Sequence, residues 1–196
     1  MSELMKYAES ADLYSKISNL ITAKKYTVSH AVNSAIVFLY WEIGETVCMD
    51  ILQNHKAEYG KAIINEVAKQ LSQNYGKGFD RTAIFRMVQF YQEFPDKEKV
   101  ATLSQQLTWS HFVVLLPIED ELKRDFYAAM CKSENWSVRV LRERKNSMLY
   151  ERTAISKKSD ETIKNDIALL MEKDKMSLDL FYRDPYVLDF LGLKDT

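Results

Sequence analysis

The sequence YGKGFDRTAIFRMVQFYQEFP, at residues 75–95, sets the expected fold of this chain. Its glycines break one helical pattern, Asp80 is suited to cap the next helix, and a proline follows shortly after that helix ends. Before the break, apolar residues from Ile63 to Tyr75 recur at helical spacing. The second helix is predicted at 81–93, with an inner face of four apolar residues: Ile84, Phe85, Val88 and Tyr91. Two helices joined by a glycine turn are therefore predicted here.

The rest of the chain also repeats at helical period. One apolar stripe covers residues 13–21, and a separate long helix is predicted at about 29–52. Further helices are predicted after Thr108 and over 119–132, 137–150 and 160–173. Residues 99–107 are compatible with a helix or a short β-hairpin. Three Pro and five Gly in 196 residues are too few for the many turns of a sandwich or barrel.

The predicted fold class is therefore all-α: a multi-helix domain with a helix-turn-helix-like pair and at most one short β-hairpin. Its compact part is expected to span residues 10–152, and 153–196 to form a linker and a C-terminal helical extension. That extension ends in the apolar segment DPYVLDFLGL, residues 184–193. We expect this segment to pack on the domain's own core, on a partner chain or, as we favour, on a following domain.

The charge of the chain is balanced overall but uneven along its length. The formal net charge is −1, so a global basic field that attracts nucleic acid is excluded. Residues 137–158, however, carry seven basic side chains against Glu143 and Glu151. A local excess of this kind is typical of a surface that meets an anionic partner.

Two sets of residues are candidates for nucleic-acid contact. Arg and Gln side chains read guanine and adenine edges, and the predicted second helix carries Arg81, Arg86 and Gln89, with Thr82 and Gln92 beside them. Lys77 in the turn and four residues of the basic segment are suited to phosphates: Arg139, Arg142, Arg144 and Lys145. The alternative is structural, since any two packed helices with a glycine turn look alike and a charged helix face is often only solvated.

Other kinds of chemistry find little support in the sequence. The three His and two Cys have no metal-ligand spacing, and the GKGF turn lacks the phosphate-loop pattern. Pro95-Asp96 with Glu121-Leu122-Lys123 matches a metal-nuclease string, but its second part lies in a predicted helix instead of the strand that such a site requires. Cys48 and Cys131 are expected to be buried, reduced thiols.

The N-terminus lacks a signal peptide pattern and no apolar run is long enough to span a bilayer, so a cytoplasmic protein without membrane contact is predicted.

Six blocks, in order, are similar to the N-terminal domain of the YhcG-type PD-(D/E)XK nuclease family: VNSAIVFLYWEIG (32–44), AEYGKAII (57–64), YGKGFDRTAIFRMVQFYQEFP (75–95), LTWSHF (107–112), ENWSVRVLRERKNSMLYER (134–152) and DPYVLDFLGL (184–193). Together they cover about residues 28–193. The resemblance implies a DNA-related role and a nuclease domain in cis that follows this region. It also implies that the catalytic residues and their Mg²⁺ belong to that domain, so no catalytic residue, metal or cofactor is assigned here.

The favoured hypothesis is a non-catalytic nucleic-acid-binding or targeting domain of a DNA nuclease. In it, Arg81, Arg86 and Gln89 approach base edges, and the other cations contact phosphates. The alternative is a module for homodimerisation or protein docking that makes no direct DNA contact.

Overall fold

The computed structural model describes residues 2–53, 57–152 and 159–173, and within these ranges the regular elements are all helical. The helices are α1 Ser2–Gln53, α2 Ala57–Tyr75, α3 Arg81–Glu93, α4 Lys97–Ser104, α5 Trp109–Leu115, α6 Glu121–Ser133, α7 Val138–Asn146, α8 Leu149–Arg152 and α9 Asp160–Lys173. A 3₁₀ turn at Lys77–Phe79 joins α2 to α3. The predicted all-α class is confirmed. The segment 184–193 lies outside the described residues.

Helix α1 is one continuous element of 52 residues, so it includes the predicted stripe at 13–21 and begins well before the long helix that was expected from about residue 29. The physical reason is visible in the sequence, because neither Gly nor Pro occurs before Gly44. These two residues are the ones that interrupt helices most strongly. At about 1.5 Å per residue, the 52 residues of α1 span about 78 Å.

The C-terminal part of α1 crosses α3 at very short range. A Cβ atom added to Gly44 would lie 2.0 Å from the carbonyl oxygen of Met87 and 3.1 Å from Cβ of Tyr91. Only glycine permits such a close approach of two backbones. Near the crossing, the indole Nε1 of Trp41 donates a hydrogen bond of 2.7 Å to the carbonyl of Phe94, which ends α3. Gly44 and Trp41 therefore fix where α3 lies.

The start of α3 agrees with its prediction from sequence. Gly76 has φ 91°, a conformation that side chains disfavour, and it ends α2. Asp80 then caps α3, because its Oδ1 accepts a hydrogen bond of 2.8 Å from the backbone nitrogen of Ala83. Thr108 before α5 and Ser137 before α7 occupy the same position at their helices.

Two segments differ from the structure that the sequence predicts or allows. Residues 99–107 do not form a β-hairpin: α4 runs through Ser104, because Asp96 accepts hydrogen bonds from the nitrogens of Glu98 and Lys99 and so starts a helix there. The single helix predicted over 137–150 is two helices. Met148, with φ 56°, lies in the left-handed region and separates α7 from α8.

The core has two connected parts. Ile64 and Ala68 of α2 pack with Ile84 and Met87 of α3, beside Tyr40 of α1. The larger part gathers aromatic and aliphatic side chains from α1 and from α3 to α9, including these: Trp41, Phe90, Phe94, Phe112, Phe126, Tyr127 and Leu141. Helix α9 contributes Ile163 and Ile167 to this larger part. A domain boundary at residue 152 stays a prediction.

Candidate nucleic-acid interface

Helix α3 presents one face to the core and another to an open concavity of about 610 Å³. The concavity is lined by these residues: Arg81, Thr82, Phe85, Arg86, Val88, Gln89 and Gln92. Residues 81–92 contain no Asp or Glu, and Arg81, Thr82 and Arg86 are exposed. The structure therefore brings together the three α3 residues that the sequence proposed for base contact, on one surface without carboxylates from that helix.

The inner face of α3 differs from its prediction. Its buried residues are Ile84, Met87 and Phe90, whereas Phe85 and Val88 are half-buried and line the concavity. The guanidinium of Arg81 lies 5.5 Å from the centre of the Phe85 ring, a favourable cation–π distance. Phe85 packs partly against the α2–α3 core cluster, as expected for the inner face, and also borders the concavity, which the sequence did not indicate. Its position four residues after Arg81 is the signal that predicts the cation–π contact.

Gln89 has a structural contact as well as a place in the concavity. Its side-chain amide donates a hydrogen bond of 3.2 Å to the carbonyl of Leu116, the residue that ends α5. Carbonyls at the end of a helix have no partner within the helix, so Gln89 holds α3 against α5. The amide is half-buried and less available for a base edge than Arg81 or Arg86.

The basic residues of α7 also divide into exposed side chains and side chains that contact a neighbouring group. Arg139 and Arg142 are exposed one turn apart. Arg144 lies 6.0 Å from the centre of the Trp136 ring. The ammonium group of Lys145 donates a hydrogen bond of 3.3 Å to the carbonyl of Val114 near the end of α5. Lys145 thereby complements the partial negative charge of that helix end.

Both cationic segments meet the same end of α5. Gln89 of α3 and Lys145 of α7 donate to carbonyls only two residues apart, at Leu116 and Val114. The C-terminal end of α5 is therefore the common support of the two segments. The sequence had placed them some fifty residues apart and gave no indication that they share a contact. Lys77 is exposed in the 3₁₀ turn at the start of α3.

The titratable residues of the core have structural contacts. His111 accepts a hydrogen bond of 3.0 Å from the nitrogen of Thr108 at Nδ1 and, through Nε2, contacts the carbonyl of Trp136 at 2.9 Å. Burial lowers the pKa of His111, against the opposing effect of the Trp136 carbonyl. Cys48 and Cys131 are free and buried, as predicted. Burial raises the pKa of Cys131 to about 12, so this thiol is a poor nucleophile at neutral pH.

The metal-nuclease string does not assemble a site in this region. Asp96 is the cap of α4, and Glu121 lies in the first turn of α6. Lys123 pairs with Glu151. Among the described residues, no group of three or more His, Cys, Asp or Glu is placed to hold a metal ion. The helical assignment that argued against this string is confirmed.

A membrane-spanning role finds no support in the helices that are described. Within these ranges, none is both long enough and apolar enough to cross a bilayer. Helix α1 has the length, but its charged and polar residues recur throughout.

Comparison with known proteins identifies the family of this chain. The family model described as the DUF1016 N-terminal domain matches residues 16–152. Among curated proteins, the "Putative nuclease YhcG" of Escherichia coli (strain K12) is 26% identical over 218 aligned residues, which cover 93% of this chain and 56% of that protein. The chain therefore spans a little over half the length of this relative. No solved structure gives a significant match. Because the family model covers well over half of the sequence and includes both cationic segments, the chain belongs to the DUF1016 N-terminal domain family.

Proposed function

We propose that this chain is a non-catalytic nucleic-acid-binding domain that positions a nuclease on DNA. The observation that carries the proposal is the pair of cationic segments on α3 and α7, both fixed to the C-terminal end of α5. Each phosphate that is neutralised by a basic side chain releases counterions and favours binding. A net charge of −1 is compatible with this role because the contact surface is local.

The proposed roles of the residues follow from their exposure. Arg81 and Arg86 lie on the open face of α3, where guanidinium groups are suited to guanine edges. Lys77, Arg139 and Arg142 are exposed and are assigned to phosphates. Gln89, Arg144 and Lys145 contribute through position and local charge, since each contacts a neighbouring element or ring as well. Phe85 adds an aromatic surface on which an unpaired base can stack.

The targeting part of the proposal rests on the relative. Its printed name is that of a nuclease, and the chain matches only part of it. We infer that a nuclease domain acts in cis with this region and supplies the catalytic residues and their Mg²⁺. Mg²⁺-dependent cleavage of DNA by the 196-residue chain alone would contradict the non-catalytic assignment.

The first test is fluorescence anisotropy with labelled duplex, single-stranded and branched DNA over a series of salt concentrations. We expect binding that weakens steeply with salt. Arg86→Ala and Arg142→Ala should each weaken binding and reduce the slope of log K against log salt by about 0.9, the value for one phosphate contact to duplex. If Arg86 contacts a base edge instead, Arg86→Ala should change the sequence preference more than the slope.

A matched control removes one exposed positive charge from a helix outside these two segments. Lys164 lies exposed on α9, and Lys164→Ala should leave the slope unchanged. No binding at low salt would overturn the proposal. An equal effect of all three substitutions would also overturn it, since that result would indicate a response to net charge alone.

A further inference from the structure

Helix α1 carries a second apolar face that no described residue covers. We define the α1 stripe as these residues, each at least 40% exposed: Leu13, Ile17, Leu20, Ile21, Val28, Val32, Ile36 and Leu39. Apart from the neighbours Leu20 and Ile21, successive members are three, four or seven residues apart, which places them along one broad side of a helix. Leu20 and Val28, at 63% and 61%, are the most exposed of the eight.

The α1 stripe lies opposite the face that packs on the rest of the domain. The packed face is marked by Val37, Trp41, Gly44 and Cys48, which are buried. At 100° per residue, the mean direction of the eight stripe residues falls roughly 170° from the mean direction of these four buried residues, although Leu13 and Leu20 lie at the edge of the stripe. The core of the same domain therefore cannot cover the stripe without breaking the contact with α3.

Residues 12–29 of α1 show no side-chain hydrogen bond to another described element. Between Asp12 and Thr27, the side-chain hydrogen bonds found among the described residues stay within the helix, as in Lys16 to Asp12 and Thr27 to Ala23. A lone helix is marginally stable in water, and most helices in proteins depend on a packed apolar face. The α1 stripe is about 40 Å long, and extended exposed apolar surfaces mark interaction sites.

We propose that the α1 stripe is a self-association surface, on which α1 of a second copy of this chain lies antiparallel. The charges along the helix select this occupant and this direction. Residues 2–12 carry Glu3, Lys6, Glu9 and Asp12, with a net charge of −2, whereas residues 13–30 carry only positive charges, at Lys16, Lys24 and Lys25.

Lys24 distinguishes the two directions of pairing. It lies in the middle of the α1 stripe. Lys24 and Lys25 border an open concavity of about 610 Å³, which is also lined by Leu20, Ile21 and Val28. A parallel pair would place Lys24 against its own copy, which is repulsive. An antiparallel pair brings Lys24 and Lys25 alongside the acidic start of the partner helix. The two-fold axis then lies close to Ile17 and Leu20. This proposal does not depend on nucleic-acid binding.

Sedimentation analysis of the 196-residue chain over a wide dilution series tests the proposal. We expect a reversible dimer. Ile17→Glu should raise its dissociation constant by about 100-fold or more, because a two-fold interface contains each substitution twice. Asn19→Glu is the matched control: it adds the same charge to an exposed position of the same segment, but on the opposite side of the helix, and should leave the constant nearly unchanged.

A charge exchange tests the direction. Lys24→Glu with Lys25→Glu should weaken the dimer about tenfold or more, and adding Glu9→Lys with Asp12→Lys should restore it, which a parallel pair does not predict. Circular dichroism should show that every variant remains helical, since Asp12, Ile17, Asn19, Lys24 and Lys25 are exposed.

Three results would overturn the proposal: a monomer at every concentration, a dimer that is insensitive to Ile17→Glu, or a charge exchange that fails to restore binding. A fourth result would identify another occupant. If deletion of residues 174–196 turned a monomer into a dimer, the apolar segment 184–193 would be what covers the stripe in the intact chain.

Discussion

The two halves of α1 have similar apolar spacing and opposite surroundings. Residues 30–48 pack on α3 and on the end of α4, with Val37 fully buried and Trp41 3% exposed. Residues 12–29 belong to the same unbroken helix, yet Leu20 and Val28 are more than 60% exposed. Periodicity shows which side of a helix is apolar, but not which chain or element covers that side. We call residues 30–48 the packed half and residues 12–29 the open half. The packed half is held by the close approach of the α1 and α3 backbones and by hydrogen bonds from polar side chains.

The largest effect is expected where the packed half comes closest to its neighbour. Gly44→Ala would place a Cβ atom 2.0 Å from the backbone oxygen of Met87, so α1 or α3 must move. Overpacking costs typically about 1–3 kcal/mol, and because backbone must shift here we expect at least the upper end of that range. Urea unfolding measures the loss directly.

Gly78→Ala is the control for this substitution, since a Cβ there has nothing within 4 Å. It should change the free energy of unfolding by less than about 0.5 kcal/mol. A mild effect of Gly44→Ala, similar to that of Gly78→Ala, would mean that α1 and α3 do not approach as closely as described.

The second prediction applies one substitution to both halves. Val37→Ala removes two methyl groups from a fully buried position and should reduce the free energy of unfolding by about 2 kcal/mol. Val28→Ala, at a position 61% exposed, should change it by no more than about 0.5 kcal/mol. Helix propensity changes equally in both and cancels from the comparison.

These measurements belong at protein concentrations low enough to keep the chain monomeric. If Val37→Ala and Val28→Ala reduce the free energy of unfolding equally under that condition, another part of the same chain must cover the open half of α1. A loss for Val28→Ala that appears only at high protein concentration would support the self-association of α1.

The smallest effect on stability is expected for the hydrogen bonds that join α1 to the end of α4, at the boundary between the packed half and the open half. Ser34 donates a hydrogen bond of 2.8 Å to the carbonyl of Ser104 at the end of α4, beside similar bonds from Asn33. Ser34→Ala should cost about 1 kcal/mol more than Ser15→Ala in the exposed part of the helix, since a typical hydrogen bond contributes about 0.5–1.5 kcal/mol. Thermal unfolding of the two variants gives the difference. If they unfold together, the packed half begins later than Ser34.

The sequence was most informative where a local signal has one physical meaning. Asp80 and the glycine turn predicted the limits of α3, and the capping position of Thr108 was also correct. The sequence was least informative where the apolar spacing of one helix continues past the end of that helix. Leu149 and Tyr150 extend the apolar spacing of α7, so a left-handed residue at Met148 could not be anticipated from periodicity.

The candidate site was only partly predictable, for a related reason. Composition and helical spacing located Arg81, Arg86, Arg139 and Arg142 on exposed faces. Whether a polar side chain faces solvent or a neighbouring carbonyl depends on tertiary contacts, as the bonds of Gln89 and Lys145 to the end of α5 show. The sequence contains no local signal for such contacts. Phe85 packs against the α2–α3 core cluster and also borders the concavity, and helical spacing alone does not separate these two roles.

The length of α1 has a consequence for the geometry of any target. In the proposed antiparallel pair, the two-fold axis lies about 23 residues from Trp41, or about 34 Å, so the two domains stand about 68 Å apart. This separation equals about two turns of B-form DNA, or about 20 base pairs. A straight duplex that contacts both cationic surfaces must then be at least about 20 base pairs long. Binding by the dimer should accordingly weaken for duplexes shorter than about 20 base pairs, whereas a monomer that binds alone would show no such limit.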